Sequence, residues 1–159
     1  MATKYLLPQG CHLYLRSNFD DTDEKLYQAA IDAAEKAYAP YSEFKVGASA
    51  LLENDIIITA SNQENSAFPS GLCAERVALF YAGSQHPNIG VKKLFITIAV
   101  TDKDPTLVYA PCGCCRQVIA ETEKRQEKPI QIIFEGPDNQ FIQSNGIAPL
   151  LPFAFKLPE

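Results

Sequence analysis

The spacing of apolar residues in the first half of the chain predicts a helix. Between residues 22 and 38, Leu26 and several alanines recur at intervals of three and four residues, with charged residues between them. This period is typical of an amphipathic helix with one buried face. Asp21 and Glu24 stand three residues apart, as in an N-terminal capping box. Pro40 is expected to end the helix.

The apolar segments that follow predict alternating strands and helices. Strands are predicted at 46–52, 56–59, 94–100, 130–134 and 141–143, and helices at 73–82 and 115–125. A polar turn at residues 53–55 joins the first two strands, which favours an antiparallel hairpin. Helices that alternate with buried strands predict an α/β fold, with a mixed sheet of about five strands covered on both faces by helices.

The chain divides into a short arm and one larger unit. Its 159 residues are enough for one compact domain to fold without disulfide bonds. Residues 1–20 show no clear period and are interpreted as an amino-terminal arm. Residues 21–159 are predicted to form one domain. An ordered arm and a loosely held tail remain equally open, because chain termini are often poorly fixed.

Composition and charge narrow the classes of function. The chain is 47% hydrophobic and 21% charged, as in average globular proteins. Its net charge is −5, and no Lys/Arg-rich face is evident, so nucleic acid is a disfavoured partner. No apolar run reaches the roughly 20 residues of a membrane helix. Because no secretory signal is recognisable either, a cytoplasmic location is expected.

The five cysteines point to a metal rather than to disulfides. Cys112 and Cys115 can reach one ion from a single helical turn, and Cys73 is the candidate for a third sulfur. Three protein ligands would leave a fourth position for water, which is the mark of a catalytic zinc site. Side chains of adjacent helical residues diverge by about 100°, so Cys114 is interpreted as a packed or half-buried thiol outside the site. If Cys114 did close the site, the zinc would be structural. Cys11 is also interpreted as a bystander.

A glutamate and two arginines accompany the cysteines. Glu75 is placed to take and return a proton of a water molecule at the open position. Three thiolates and Zn²⁺ sum to one negative charge. Helix N-termini would offset it, as would Arg76 and Arg116 if they donate hydrogen bonds to the sulfurs. The alternatives are an ordinary first-turn glutamate and arginines in surface ion pairs.

These residues resemble a known family. Cys73-Ala74-Glu75 and Pro111-Cys112-Gly113-Cys114-Cys115 match the signature of zinc nucleoside deaminases, in which a ligand, one residue and Glu precede Pro-Cys-x-x-Cys. Cysteine in the first position resembles the small homotetrameric cytidine deaminases. The resemblance extends over about residues 24–155, through the segments 39–48, 62–65, 71–76, 115–117 and 150–155.

The resemblance implies a fold and a set of roles. The fold would be a three-layer sandwich with one zinc ion per subunit. The nucleoside would pack against Phe44, its ribose hydroxyls would bind Asn62 and Glu64, and its base carbonyl would meet the backbone amide of Ala74. Two aromatic residues are expected to contact the substrate of a neighbouring subunit, namely Phe68 and Phe155. Active sites would then be shared within a homotetramer.

The implied activity is hydrolytic deamination of cytidine and 2′-deoxycytidine, in pyrimidine salvage. One alternative is a deaminase of a modified cytosine nucleoside such as blasticidin S. A polynucleotide-editing deaminase is a second, which the acidic charge disfavours. A non-catalytic zinc-stabilised binding module is the third. The presence of Glu75 beside Cys73 argues against that module, because structural zinc needs no proton carrier.

Overall fold

Six strands form one sheet within residues 6–157, the part of the chain that the computed structural model describes. The strands are β1 (Cys11–Tyr14), β2 (Lys45–Leu52), β3 (Ile57–Ser61), β4 (Val91–Ala99), β5 (Gln131–Glu135) and β6 (Phe141–Asn145). The α-helices are α1 (Asp21–Ala34), α2 (Ala74–Gln85) and α3 (Gly113–Gln126), and short 3-10 turns occur at Arg16–Asn18, Phe68–Ser70 and Pro137–Asn139.

The sheet is mixed, as predicted. Its strand order is β1-β6-β5-β4-β2-β3. Only the central pair β4 and β5 is parallel, and every other neighbouring pair of strands is antiparallel. The predicted hairpin is confirmed as β2 and β3. The prediction of about five strands was one short, because β1 lies in the arm and pairs with β6 at the edge of the sheet.

The helices cover both faces of the sheet, which confirms the layered architecture. Side chains alternate between the two faces of a strand. Leu94 and Ile96 of β4 therefore join the core cluster that contains Leu79 of α2 and Ile119 of α3. Phe95, between them, joins the second cluster with residues of α1. Two apolar cores result, one on each side of the sheet.

Helix α1 differs from its predicted bounds at both ends. The residue that caps it is Asp20, not Asp21, since the Asp20 side chain accepts a hydrogen bond from the N–H of Asp23 at 2.7 Å. The helix ends at Ala34, six residues before Pro40. The chain then turns toward β3, where the N–H of Tyr38 donates to the carbonyl oxygen of Asn62 at 3.1 Å.

A glycine and a serine allow α1 to lie directly on β2. A Cβ atom at Gly47 would fall 1.9 Å from the carbonyl oxygen of Ala30 and 2.7 Å from the nitrogen of Ala34, so no side chain fits there. The buried hydroxyl of Ser49 donates to the carbonyl oxygen of Leu26 at 2.7 Å. This bond explains a polar residue in an otherwise apolar strand, since a buried hydroxyl needs a partner.

Tyr14 and Phe19 of the arm pack into the core on the α1 side of the sheet. The ring of Phe19 lies 5.5 Å from that of Phe95 and 5.0 Å from that of Phe141, measured between centroids. The hydroxyl of Tyr14 donates to the buried carboxylate of Asp23. Whether the arm is separable from a domain over 21–159 stays a prediction. Within residues 6–157, no helix has the length and apolar character that a membrane crossing requires.

Candidate metal centre and nucleoside pocket

Three cysteine sulfurs converge at the start of two helices. Cys73 is the N-cap residue of α2, and Cys112 is the N-cap residue of α3; both have extended backbones. Cys115 lies one turn into α3 and is fully buried. The Sγ atom of Cys112 is 3.8 Å from that of Cys73 and 3.4 Å from that of Cys115. The N-terminal ends of both helices therefore meet at the sulfurs.

The sulfur trio has the spacing that zinc requires. With Zn–S bonds of about 2.3 Å and tetrahedral angles, bound sulfurs lie about 3.8 Å apart. The three Sγ atoms all lie within 4.8 Å of one another. Among residues 6–157 this is the one group of potential metal ligands that meets such a spacing. Cys114 lies outside the trio, and it is exposed and not packed.

The surroundings of the three sulfurs favour ionisation of one thiol to a thiolate. The pKa of Cys73 falls to about 5, chiefly because its sulfur accepts a hydrogen bond from the Cys115 thiol, with a further contribution from Arg76. The pKa of Cys115 is raised, because its proton is shared with Cys73 and because it is buried. Thiolate is the form of cysteine that binds metals, so the lowered pKa of Cys73 favours binding of a cation.

The two arginines make different contacts. Nη2 of Arg76 lies 3.8 Å from Sγ of Cys73, whereas its buried Nε has no hydrogen-bond partner within the described residues. Arg116 donates to main-chain oxygens instead of to sulfur. Its Nε is 2.8 Å from the carbonyl oxygen of Pro111, and its Nη1 is 2.9 Å from that of Leu150. Arg116 thus fixes the residue before Cys112.

Glu75 follows the first cysteine by two residues and is almost completely buried, with 4% of its surface exposed. Burial raises the pKa of Glu75 to about 7, and the negative charge of Cys73 contributes to the rise. A carboxyl group whose pKa lies near neutrality can both accept and return a proton, as a general acid–base group must.

A cavity of about 360 Å³ joins Glu75 to the sulfurs. Phe44 lies on its wall, and Val46 of β2 adds apolar surface together with Ile96 and Ile98 of β4. The lining consists of Ser42, Phe44, Val46, Asn62, Glu64, Cys73, Glu75, Ile96, Ile98, Val108, Tyr109, Ala110 and Cys112. Apolar walls with a few polar groups are typical of a small-molecule site.

Asn62 and Glu64 lie at this cavity and make hydrogen bonds of their own. Oδ1 of Asn62 accepts from the N–H of Val46 at 2.8 Å, and its Nδ2 donates to the carbonyl oxygen of Phe44 at 2.9 Å. The carboxylate of Glu64 accepts from the N–H of Tyr41 at 2.9 Å and from the hydroxyl of Ser42. These contacts orient both side chains and lower the pKa of Glu64, mainly through Ser42.

The remaining predicted residues lie outside this cavity or at its margin. The backbone of Ala74 is the first residue of α2, between Cys73 and Glu75. Phe68 is 75% exposed and lines an adjoining cavity of about 450 Å³. Phe155 is 69% exposed, and its main chain is bound in both directions by the side-chain amide of Gln117, at 2.9 and 3.1 Å.

Sequence reasoning missed one wall of the cavity. Val108, Tyr109 and Ala110 belong to the loop between β4 and α3, and all three line the cavity. The loop has no period and no motif of its own. Only its position just before Pro111 and Cys112 could have suggested that it lies near the metal.

Together the layered fold, the trio of thiols and the buried glutamate define a zinc-dependent α/β enzyme. Residues 20–128 match the profile of a family described as the cytidine and deoxycytidylate deaminase zinc-binding region. The chain is 38% identical over 132 residues to a cytidine deaminase of Halalkalibacterium halodurans, covering 83% of this chain and 92% of that protein. It is 40% identical over 132 residues to one of Sporosarcina psychrophila, covering 83% and 90%.

Solved structures show the same likeness. A cytidine deaminase from Burkholderia pseudomallei superposes with a TM-score of 0.68 at 32% identity, over 83% of this chain and 98% of that one. The cytidine deaminase of Mycobacterium tuberculosis superposes with a TM-score of 0.64 at 30% identity, over 87% and 100%. This chain belongs to the cytidine and deoxycytidylate deaminase family of zinc enzymes.

Proposed function

We propose that the protein deaminates cytidine and 2′-deoxycytidine by hydrolysis, giving uridine and 2′-deoxyuridine with release of ammonia. The observation that carries this proposal is the position of one buried carboxyl group, Glu75, on the same cavity as Cys73 and Cys112. The bacterial relatives named above are cytidine deaminases, which supports the choice of substrate.

Cys73, Cys112 and Cys115 would hold the metal, with a fourth position left open. When bound there, zinc supplies an activated water molecule near neutral pH. Glu75 accepts a proton from the attacking water and delivers it to N3 of the pyrimidine. A second proton from the same water then passes through Glu75 to the amine on C4. The bond between C4 and the exocyclic amino nitrogen breaks, and ammonia leaves. The oxygen of the attacking water remains on C4 as the carbonyl oxygen, with no change of oxidation state.

The nucleoside would be oriented by residues around the cavity. Glu64 and Asn62 have acceptor and donor groups suited to ribose hydroxyls, and both are held by neighbouring backbone. Phe44 offers an apolar ring to the base, and the N–H of Ala74 offers a donor to its carbonyl oxygen. Such fixed contacts act by positioning the reacting carbon beside the nucleophile.

The exposed aromatic residues support a proposed homotetramer with shared active sites. In a single chain the apolar side chains of Phe68 and Phe155 are largely exposed to solvent. Large exposed apolar side chains often mark protein interfaces. In this arrangement each would contact a nucleoside bound to a neighbouring subunit. The corresponding cellular role is pyrimidine salvage in the cytoplasm.

Incubation of the purified protein with cytidine tests the proposal. Loss of cytosine absorbance together with stoichiometric ammonia would support it, whereas binding without any absorbance change would indicate a binding module. A panel of cytidine, 2′-deoxycytidine, CMP and blasticidin S tests the substrate class. Turnover of blasticidin S alone would replace the proposed substrate. Light scattering of the eluted protein, at known concentration, gives the number of subunits.

A further inference from the structure

Phe44 has an aromatic neighbour within the cavity. The centroids of the rings of Phe44 and Tyr109 lie 6.1 Å apart, with 34° between the ring planes. Both residues line the cavity that contains Glu75. A base stacked between two rings needs about 7 Å, twice the optimal separation of carbon atoms. The nucleoside therefore has no room between these rings, and Tyr109 supports Phe44 from one side.

The ring of Phe44 lies at a turn and is partly exposed, whereas its main chain is held by Ser42 and Asn62. Phe44 follows Glu43, whose φ of 56° marks a left-handed turn, and it precedes the first residue of β2. Phe44 is 37% exposed. A ring on such a turn can adopt more than one rotamer unless a neighbour limits it. Tyr109 is placed to impose that limit.

Tyr109 is itself held at both ends. Its N–H donates to the carbonyl oxygen of Glu135 at 2.9 Å. Its hydroxyl accepts a hydrogen bond from the N–H of Asp104 at 3.0 Å. The carboxylate of Asp104 accepts in turn from the N–H and the hydroxyl of Thr106, at 2.8 and 2.7 Å. The loop therefore presents the Tyr109 ring in one orientation.

The loop is also tied to the interior of the sheet. The carboxylate of Glu135 on β5 accepts from Nζ of Lys103 at 2.7 and 2.8 Å and from the N–H of Ile98 at 3.0 Å. Glu135 is buried, with 9% of its surface exposed. The side chain of Lys103 is 31% exposed, but its loss would leave the buried carboxylate of Glu135 without a charged partner, which is costly. This anchor makes the loop a fixed wall of the cavity.

We propose that Tyr109 is a positioning residue that holds the ring of Phe44 at the angle at which it packs against the bound nucleoside. The proposal rests on the proposed nucleoside deaminase function. The hydroxyl of Tyr109 is engaged by Asp104, so Tyr109 contributes through its ring and carries no proton for the reaction. Its effect falls on substrate binding rather than on the chemical step.

Steady-state kinetics with cytidine test this role. Tyr109→Leu should raise KM, and the inhibition constant of uridine, about three- to tenfold, the range expected for loss of one aromatic pair. The value of kcat should stay within about twofold, because the lost interaction is equal in the ground and transition states. Tyr109→Phe keeps the ring and its backbone bond to Glu135 but loses the bond to Asp104, so both constants should lie between those of Tyr109→Leu and the wild type. Leu107→Ala, half-exposed in the same loop and outside the cavity, is the matched control.

A double-mutant cycle separates positioning from a direct contact. If Tyr109 acts through Phe44, Tyr109→Leu should have no further effect on KM once Phe44→Leu is present. Additive effects of the two substitutions on KM would overturn the proposal, as would unchanged KM and uridine inhibition in Tyr109→Leu. Should that variant not fold, Tyr109→Met is carried through the same cycle. A wild-type protein that turns over no cytidine would instead refute the proposed function, and with it the role of Tyr109.

Discussion

The Sγ atoms of Cys73 and Cys112 lie 3.8 Å apart, although 39 residues separate the two cysteines in the sequence. Each is the N-cap residue of a helix, and neither side chain caps its helix by a hydrogen bond. The partial positive charge of two helix N-termini favours thiolates at this point. Neither sulfur is used to cap its helix, so both can bind a cation, and the contribution of each can be measured separately.

Cys112→Ala is expected to abolish zinc binding and deaminase activity together. The substitution leaves two sulfurs, and a zinc site needs at least three protein ligands to hold the ion firmly. Metal content of the purified variant, measured by plasma emission spectroscopy, gives the result. Cys114→Ala is the matched control and should keep the metal, because Cys114 is exposed and lies outside the trio. Loss of zinc from Cys114→Ala alone would assign the site to different ligands.

Removal of zinc by a chelator is expected to lower the Tm. An ion that binds only the folded state adds to its stability, by about 4 kcal/mol at a thousandfold excess over Kd. Thermal unfolding with and without chelator measures the shift, and restored zinc should reverse it. In Cys112→Ala the same treatment should have no effect. A Tm that is insensitive to chelator in the wild-type protein would mean that the folded chain gains nothing from the metal.

Glu75→Gln is expected to keep zinc and lose at least about 10²-fold in kcat, the usual contribution of a positioned acid–base group. Glutamine has nearly the same shape but carries no exchangeable acidic proton. Zinc content and kcat are measured on the same preparation. Glu121→Gln, at an exposed position of α3, controls for the change of charge. Near-normal turnover of Glu75→Gln with zinc bound would leave Glu75 without its proposed role.

The sulfur trio was predictable because metal ligands are recognised by residue type and spacing. The order of helices and strands was predictable for a similar reason, since the spacing of apolar residues can be recognised within a short stretch of sequence. Strand β1 has only four residues and lies at the sheet edge, where one face need not be apolar. Its pairing with β6 depends on a tertiary contact, which no local pattern encodes.

The wall formed by Tyr109 was not predictable for a related reason. Its orientation depends on the contact between Lys103 and Glu135, which are far apart in the sequence and meet because β5 lies beside β4. One partner of Arg116, the carbonyl oxygen of Leu150, likewise belongs to a distant segment of the chain. In each case the residue type was known but the contact joined segments far apart in the chain.

Phe19→Ala is expected to lower the free energy of unfolding by about 2 kcal/mol, less than a fully buried phenylalanine would. The Phe19 ring contacts Phe95 and Phe141, so its loss leaves a gap in the core beside α1. Urea unfolding measures the change. Leu15→Ala, in the same arm but 44% exposed, should change stability by no more than about 0.5 kcal/mol. Equal stability of Phe19→Ala and wild type would mean that the arm is a loosely held tail.

Glu123→Gln is expected to stabilise the protein more at pH 7 than at pH 4. Oε1 of Glu123 accepts from the N–H groups of Ile130 and Ile147, at 2.8 and 3.0 Å, and burial raises the pKa of this carboxyl group. A raised pKa in the folded state means that the stability which the protonated carboxyl provides is present in full below the unfolded pKa, about 4.3. That stability is lost as the pH rises through the higher, folded pKa.

Glutamine at this position keeps an acceptor oxygen and cannot ionise, so it avoids the loss. The difference in Tm between Glu123→Gln and wild type should therefore widen between pH 4 and pH 7. Glu121→Gln, on an exposed face of the same helix, should show no such trend. If the Tm difference narrows as the pH rises, the ionised carboxylate is the form that the two backbone N–H groups stabilise, and the sign of the pKa shift is reversed.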